Sequence, residues 1–164
     1  MRPTYVGILV ASLYIIFKMV LYFAHLQHTV LEKTPWIPLL ALVLLGIFYA
    51  INQHIRTNTT YDWMAAFKKG LTVALIASVV TGLFLYIYYT TIDPDFLPLR
   101  QVDAYNEFKG QIPKEQMVES EKSLKAAFRP SNFAIVTVSA INIMGLIGSL
   151  VVALIGRMTI KNRQ

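Results

Sequence analysis

The sequence predicts an all-α polytopic membrane protein, with four transmembrane helices and a helical external segment between the third and fourth, as a single membrane domain over 1–164. Three observations predict it. Four apolar stretches each approach the ~20 residues that carry a helix across a ~30 Å hydrocarbon layer. The fifteen Lys and Arg and nine Asp and Glu of this 164-residue chain avoid those stretches, apart from Lys18 and the Lys68-Lys69 pair at one mouth. The one long polar segment lies between the last two stretches. Four such helices would bury more apolar surface than the rest of the chain could cover, so lipid must be their solvent.

The first span covers about 5–26. It follows a short basic start, Met1-Arg2, but is longer than the ~7–15-residue core of a secretory signal and carries Lys18 inside it, so it reads as a retained helix. The second covers about 36–51, after Thr34-Pro35, with Trp36 suited to the headgroup level and Pro38 tolerable in a first turn whose amides lack helical partners. The third covers about 67–92 and ends in Tyr86, Tyr88 and Tyr89, which read as an interfacial belt. Asp93-Pro94 should stop it, because a residue before proline is pushed out of the α region. The fourth covers about 133–155 and runs into Gly156-Arg157 and a basic tail.

The segment 93–132 is mixed in charge, with seven acids and six bases. Leu99 to Phe108 has helical character, Gly110 breaks it, and Pro113 to Phe128 restarts a helix with proline in its first turn. A short helical hairpin is expected there. Four spans put both termini on one side, which would carry Arg2, Arg56, Lys68, Lys69, Arg157, Lys161 and Arg163 against the single acid Asp62. By the positive-inside rule that side is cytoplasmic.

The net charge of +6 belongs to these helix ends rather than to a basic domain, so nucleic acid is not expected as a partner. Cysteine is absent, which excludes disulfides, thiolate nucleophiles and cysteine metal sites. Phosphate loops, nucleophile elbows and His-Glu-x-x-His helices are missing as well, so neither catalytic residues nor a cofactor is expected. His25, His28 and Glu32 would share a helical face if the first helix ran on. Solvated interfacial imidazoles explain them better than a metal does.

The first helix has a polar stripe. At 100° per residue Gly7, Ala11, Tyr14, Lys18, Tyr22 and His25 fall within an arc of roughly 80°, which lipid would penalise. Lys18 admits two readings: an ion or anion site within the membrane, or an ammonium that snorkels about two turns to the headgroups. No Asp or Glu lies inside any of the four spans to pair with it. Gly70, Ala74, Ser78 and Gly82 repeat every four residues on the third helix. Gly145, Ser149 and Ala153, with Asn142 before them, do the same on the fourth. Small residues so spaced let helices approach closely, and Asn142 suits an interhelical hydrogen bond. Spacing alone leaves open whether the stripes pair within a chain or between chains.

Ala66-Phe67-Lys68-Lys69-Gly70, Ile92-Asp93-Pro94-Asp95-Phe96 and Ile112-Pro113-Lys114-Glu115-Gln116-Met117, together with the Gly-rich fourth span, resemble a bacterial membrane-protein family. That family is known only as domain of unknown function four-one-nine-nine. The resemblance implies four spans, a long third loop and the bacterial inner membrane, and it implies no activity and no site residues. Abundant packing stripes and missing reactive groups together point to a non-enzymatic accessory or scaffold subunit, associating with itself or another membrane protein. A small oligomeric channel or transporter built on the Lys18 face is the alternative.

Overall fold

The computed structural model describes residues 2–26, 36–57, 62–108 and 117–161. Among them the chain is all helix: α1 Pro3–Phe23, α2 Trp36–Thr57, α3 Trp63–Ile87, a π-helical turn Tyr88–Ile92, α4 Phe96–Phe108, α5 Met117–Ala127 and α6 Pro130–Lys161. Four stretches are long and apolar enough to cross a membrane, namely Pro3–Phe23, Trp36–Thr57, Trp63–Ile92 and Pro130–Gly156. This is a multi-pass membrane architecture. His28, Glu32, Gly110 and Pro113 lie outside the described residues.

Hydropathy marks the edge of the hydrocarbon, whereas local hydrogen bonding marks the end of a helix, and the two differ at several helix ends, α6 running Pro130–Lys161 against an expected 133–155. α1 stops at Phe23 instead of running to Leu26. There Leu26 N–H donates to the Leu21 carbonyl (2.9 Å) and His25 N–H to that of Tyr22 (3.0 Å), while His25 takes a left-handed φ of 56°. That is a Schellman stop, with His25 in the place usually held by glycine. α2 continues through the polar Asn52 to Thr57. α3 starts at Trp63 because the Asp62 carboxylate accepts from Met64 N–H (2.9 Å) and Ala65 N–H (3.2 Å), filling two of the bonds a first turn lacks.

Two compact units emerge, one of Met1–Thr81 with Thr137–Gln164 and one of Gly82–Val136. In the first unit α3 is the central rod, with Val73, Ala74 and Ala77 fully buried. Glycines close its contacts. A Cβ on Gly7 of α1 would sit 2.8 Å from the Ile76 Cβ, one on Gly46 of α2 would sit 3.2 Å from the Val73 side chain and 2.6 Å from Val10 of α1, and one on Gly145 of α6 would collide with the Ala74 Cβ. Outward-facing residues are large and apolar, among them Leu9, Ile16, Leu45, Phe48, Val79 and Ile143. Such a perimeter matches lipid as the surrounding solvent.

The second unit is organised by the π turn. Asp93 N–H donates five residues back to the Tyr88 carbonyl (2.9 Å), which widens the turn. Tyr88 and Tyr89 are both buried, at 0% and 1% exposure, while Tyr86 is exposed. The three tyrosines therefore do not form an interfacial belt: the π turn brings two neighbours inward together, where Tyr89 stacks on Phe96 (5.3 Å, 17°) and meets Phe133 edge-on (5.3 Å, 84°). α4 and α5 pack against each other as a hairpin. Asn132 Nδ2 donates to the Ala126 carbonyl (2.7 Å), satisfying a terminal acceptor of α5 where α6 begins.

Candidate functional site

Tyr14 and Lys18 lie one turn apart on the inner face of α1, and both are buried, at 1% and 0% exposure. The same face carries Val6, Gly7, Val10, Ala11 and Leu21. An ammonium carried to the headgroups along the lipid side would be exposed, and that of Lys18 is not. Both residues have interaction partners, and a charge removed from water requires one. Tyr22 is half-buried one turn further on. His25 lies past the helix end and is exposed, so it leaves the stripe.

The small-residue stripes of α3 and α6 pair within one chain. Ser149 Oγ stands 2.6 Å from where a Cβ on Gly70 would be, and Gly145 accommodates Ala74. One turn along, Ser78 Oγ lies 2.9 Å from the Asn142 side-chain oxygen and 2.9 Å from the Leu75 carbonyl. One hydroxyl hydrogen serves one acceptor at a time. With the Asn142 amide turned over, its N–H donates to Ser78 while Ser78 donates to Leu75, and both are satisfied. Ser149 Oγ, in contrast, is buried without a hydrogen-bond partner among the described residues. Ala153 is fully buried. Gly82, fourth in the α3 stripe, is buried in the second unit.

Two polar features escaped sequence reasoning. Asp93, read as a helix stop, is also a buried carboxylate at 6% exposure, closing the π turn that ends the third span. The signal available was its place directly after four apolar or hydroxyl-bearing turns. The second is a pair at the opposite end of α3: Lys69 Nζ lies 3.0 Å from His54 Nδ1. An ammonium only donates, so Nδ1 accepts and the imidazole carries its proton on Nε2. Nothing in the spacing of two residues on different helices marks such a pair. No group of three metal-ligating side chains gathers among the described residues.

These features define a four-span helical membrane protein whose inner faces are polar at a few engaged positions and whose helices interlock through small residues. The chain belongs to the family described as Protein of unknown function (DUF4199), whose model matches residues 5–158. No curated protein and no solved structure matches it.

Proposed function

We propose that this protein is a non-enzymatic accessory or scaffold subunit of the bacterial inner membrane, with both termini cytoplasmic and the α4–α5 hairpin outside, and that it works by binding a second copy of itself in the bilayer. The observation that carries this reading is an apolar groove of about 620 Å³ between α2 and α6, lined by Leu44, Phe48, Met144, Ile147, Gly148 and Val151. It lies on the least covered span, Pro130–Gly156, whose 18-residue apolar stretch is 22% buried against 44% for that of Trp63–Ile92. Its walls are apolar, so a partner helix seated there would be held by close packing and dispersion, the attraction open to helices whose solvent is lipid.

The absence of cysteine gives a clean test. A single Leu45→Cys substitution in the groove wall should form a disulfide-linked homodimer in native membranes, and Ile16→Cys on the exposed side of α1 should not. Native mass measurement in mild detergent should show the dimer. A monomer alone in detergent, with neither position crosslinking, overturns the reading.

A second reading has its own support in the full burial of Lys18: a passage for a small anion through the bundle, with the ammonium as its fixed countercharge. Lys18→Met should then abolish anion flux in reconstituted vesicles while the protein stays folded. Vesicles of the unsubstituted protein without flux dispose of it.

A further inference from the structure

We propose that the basic pocket at the end of the first unit where α1 begins, α2 ends and α3 starts is a binding site for a phosphate group. The pocket holds about 410 Å³ and is lined by Arg2, Gln53, His54, Thr57 and Lys69, a size within the roughly 300–1,000 Å³ typical of small-molecule sites. It gathers two cations from separate parts of the chain, Arg2 just before α1 and Lys69 in α3. The two differ in freedom. Arg2 is exposed, whereas Lys69 is half-buried and aimed by its bond to His54 Nδ1 at 3.0 Å.

The donors and acceptors select the ligand. Lys69 has two N–H groups left after serving His54, Arg2 has a planar fork of donors, and Gln53 contributes an amide. Thr57 spends its one hydroxyl hydrogen on the Gln53 carbonyl (2.9 Å), the nearer of two backbone acceptors, so its hydroxyl adds no further donor. The nearby acid is Asp62, which acts electrostatically on His54. Its carboxylate already accepts two amides at the start of α3, and it offsets one of the two cations. The balance is a donor-rich, net-positive cleft, which suits a group that presents only acceptor oxygens. Helix ends with adjoining bases lie at headgroup level, so the phosphate is that of an anionic phospholipid or a free phosphate.

The test uses the full chain in mild detergent, with phosphatidylglycerol and inorganic phosphate as separate probes, chloride as the reference anion, and native mass and thermal shift as readouts. At least one phosphate probe should bind, more weakly as salt rises, and Arg2→Gln or Lys69→Gln should each weaken it about tenfold, the scale of one charge-assisted hydrogen bond. Lys68→Gln removes the same charge from an exposed neighbour outside the pocket and should change affinity less than about twofold. Retention of phosphatidylglycerol alone assigns the site to a lipid headgroup, and a response to inorganic phosphate assigns it to the free ion. If Lys69→Gln fails to fold, exposed Arg2 carries the test. Binding of neither probe, chloride binding as well as phosphate, or equal weakening by Lys68→Gln overturns the proposal.

Discussion

The seam between α3 and α6 and the π turn after α3 are built from opposite materials. In the seam the side chains are nearly absent: Gly70, Ala74, Gly145 and Ser149 bring two helices together until a single added carbon would collide. Around the π turn the side chains do the filling, with Tyr88, Tyr89, Phe96 and Phe133 meeting at ring distances of 5.1 to 5.3 Å. One region is intolerant of additions and the other of deletions. A helix pair in lipid gains nothing from hiding apolar area, so closeness is its source of attraction. A widened turn leaves space that large rings must occupy, because packed interiors hold few voids.

The largest effect should come from removing a ring. Tyr89 touches three aromatic partners, Tyr88, Phe96 and Phe133, and Tyr89→Ala should cost about 3–5 kcal/mol, the usual range for deleting a buried aromatic. Tyr86→Ala, at an exposed position two residues before the π turn's inward pair, should stay within about 0.5 kcal/mol. Thermal unfolding in detergent, followed by circular dichroism, measures both. Equal losses at the two positions would mean that the rings share one environment and that the inward turn is wrong.

Adding carbon to the seam should come next. Gly145→Ala places a methyl group on the Ala74 side chain and should cost about 2 kcal/mol, within the 1–3 kcal/mol of ordinary overpacking. The companion change Ala74→Gly opens the space again, so the double variant should recover much of the loss. Residues in contact give such coupling, of about 0.5–3 kcal/mol, while distant ones add independently. Strict additivity would show that α3 and α6 do not meet at these two positions.

Why the seam could be read from sequence and the π turn could not follows from periodicity. Gly70, Ala74 and Ser78 recur at the interval of an α-helical ridge, and so do Gly145 and Ser149, so their faces follow from spacing even before the partner is known. Four apolar runs told the span count for the same reason: lipid imposes one length on each of them. The π turn breaks that interval. Past Ile87 the α-helical count no longer says which way Tyr88, Tyr89 or Asp93 points, and an aromatic run beside a membrane helix then reads as a belt. The end of α1 was hidden differently, because a left-handed residue is signalled by glycine and His25 stands there instead. The Lys69–His54 pair joins side chains on two different helices, and no local pattern records a contact of that kind.

The smallest effects separate two serines that sequence treats alike. Ser78 and Ser149 are both fully buried, one on each helix of the seam. Ser78 reaches Asn142 across the interface at 2.9 Å, whereas the Ser149 hydroxyl has no hydrogen-bond partner among the described residues. Interhelical hydrogen bonds in membranes are worth about 0.6 kcal/mol on average and at most ~1.7, so Ser78→Ala should lower stability by about 1 kcal/mol. Ser149→Ala removes a hydroxyl that was desolvated without compensation, and the carbon that fills the seam beside Gly70 remains, so it should be neutral or stabilising. The sign of the difference is what matters, since both changes delete a single oxygen. Were Ser149→Ala the more harmful of the two, the seam would be held by a bond at Ser149 and not by the closeness of its backbones.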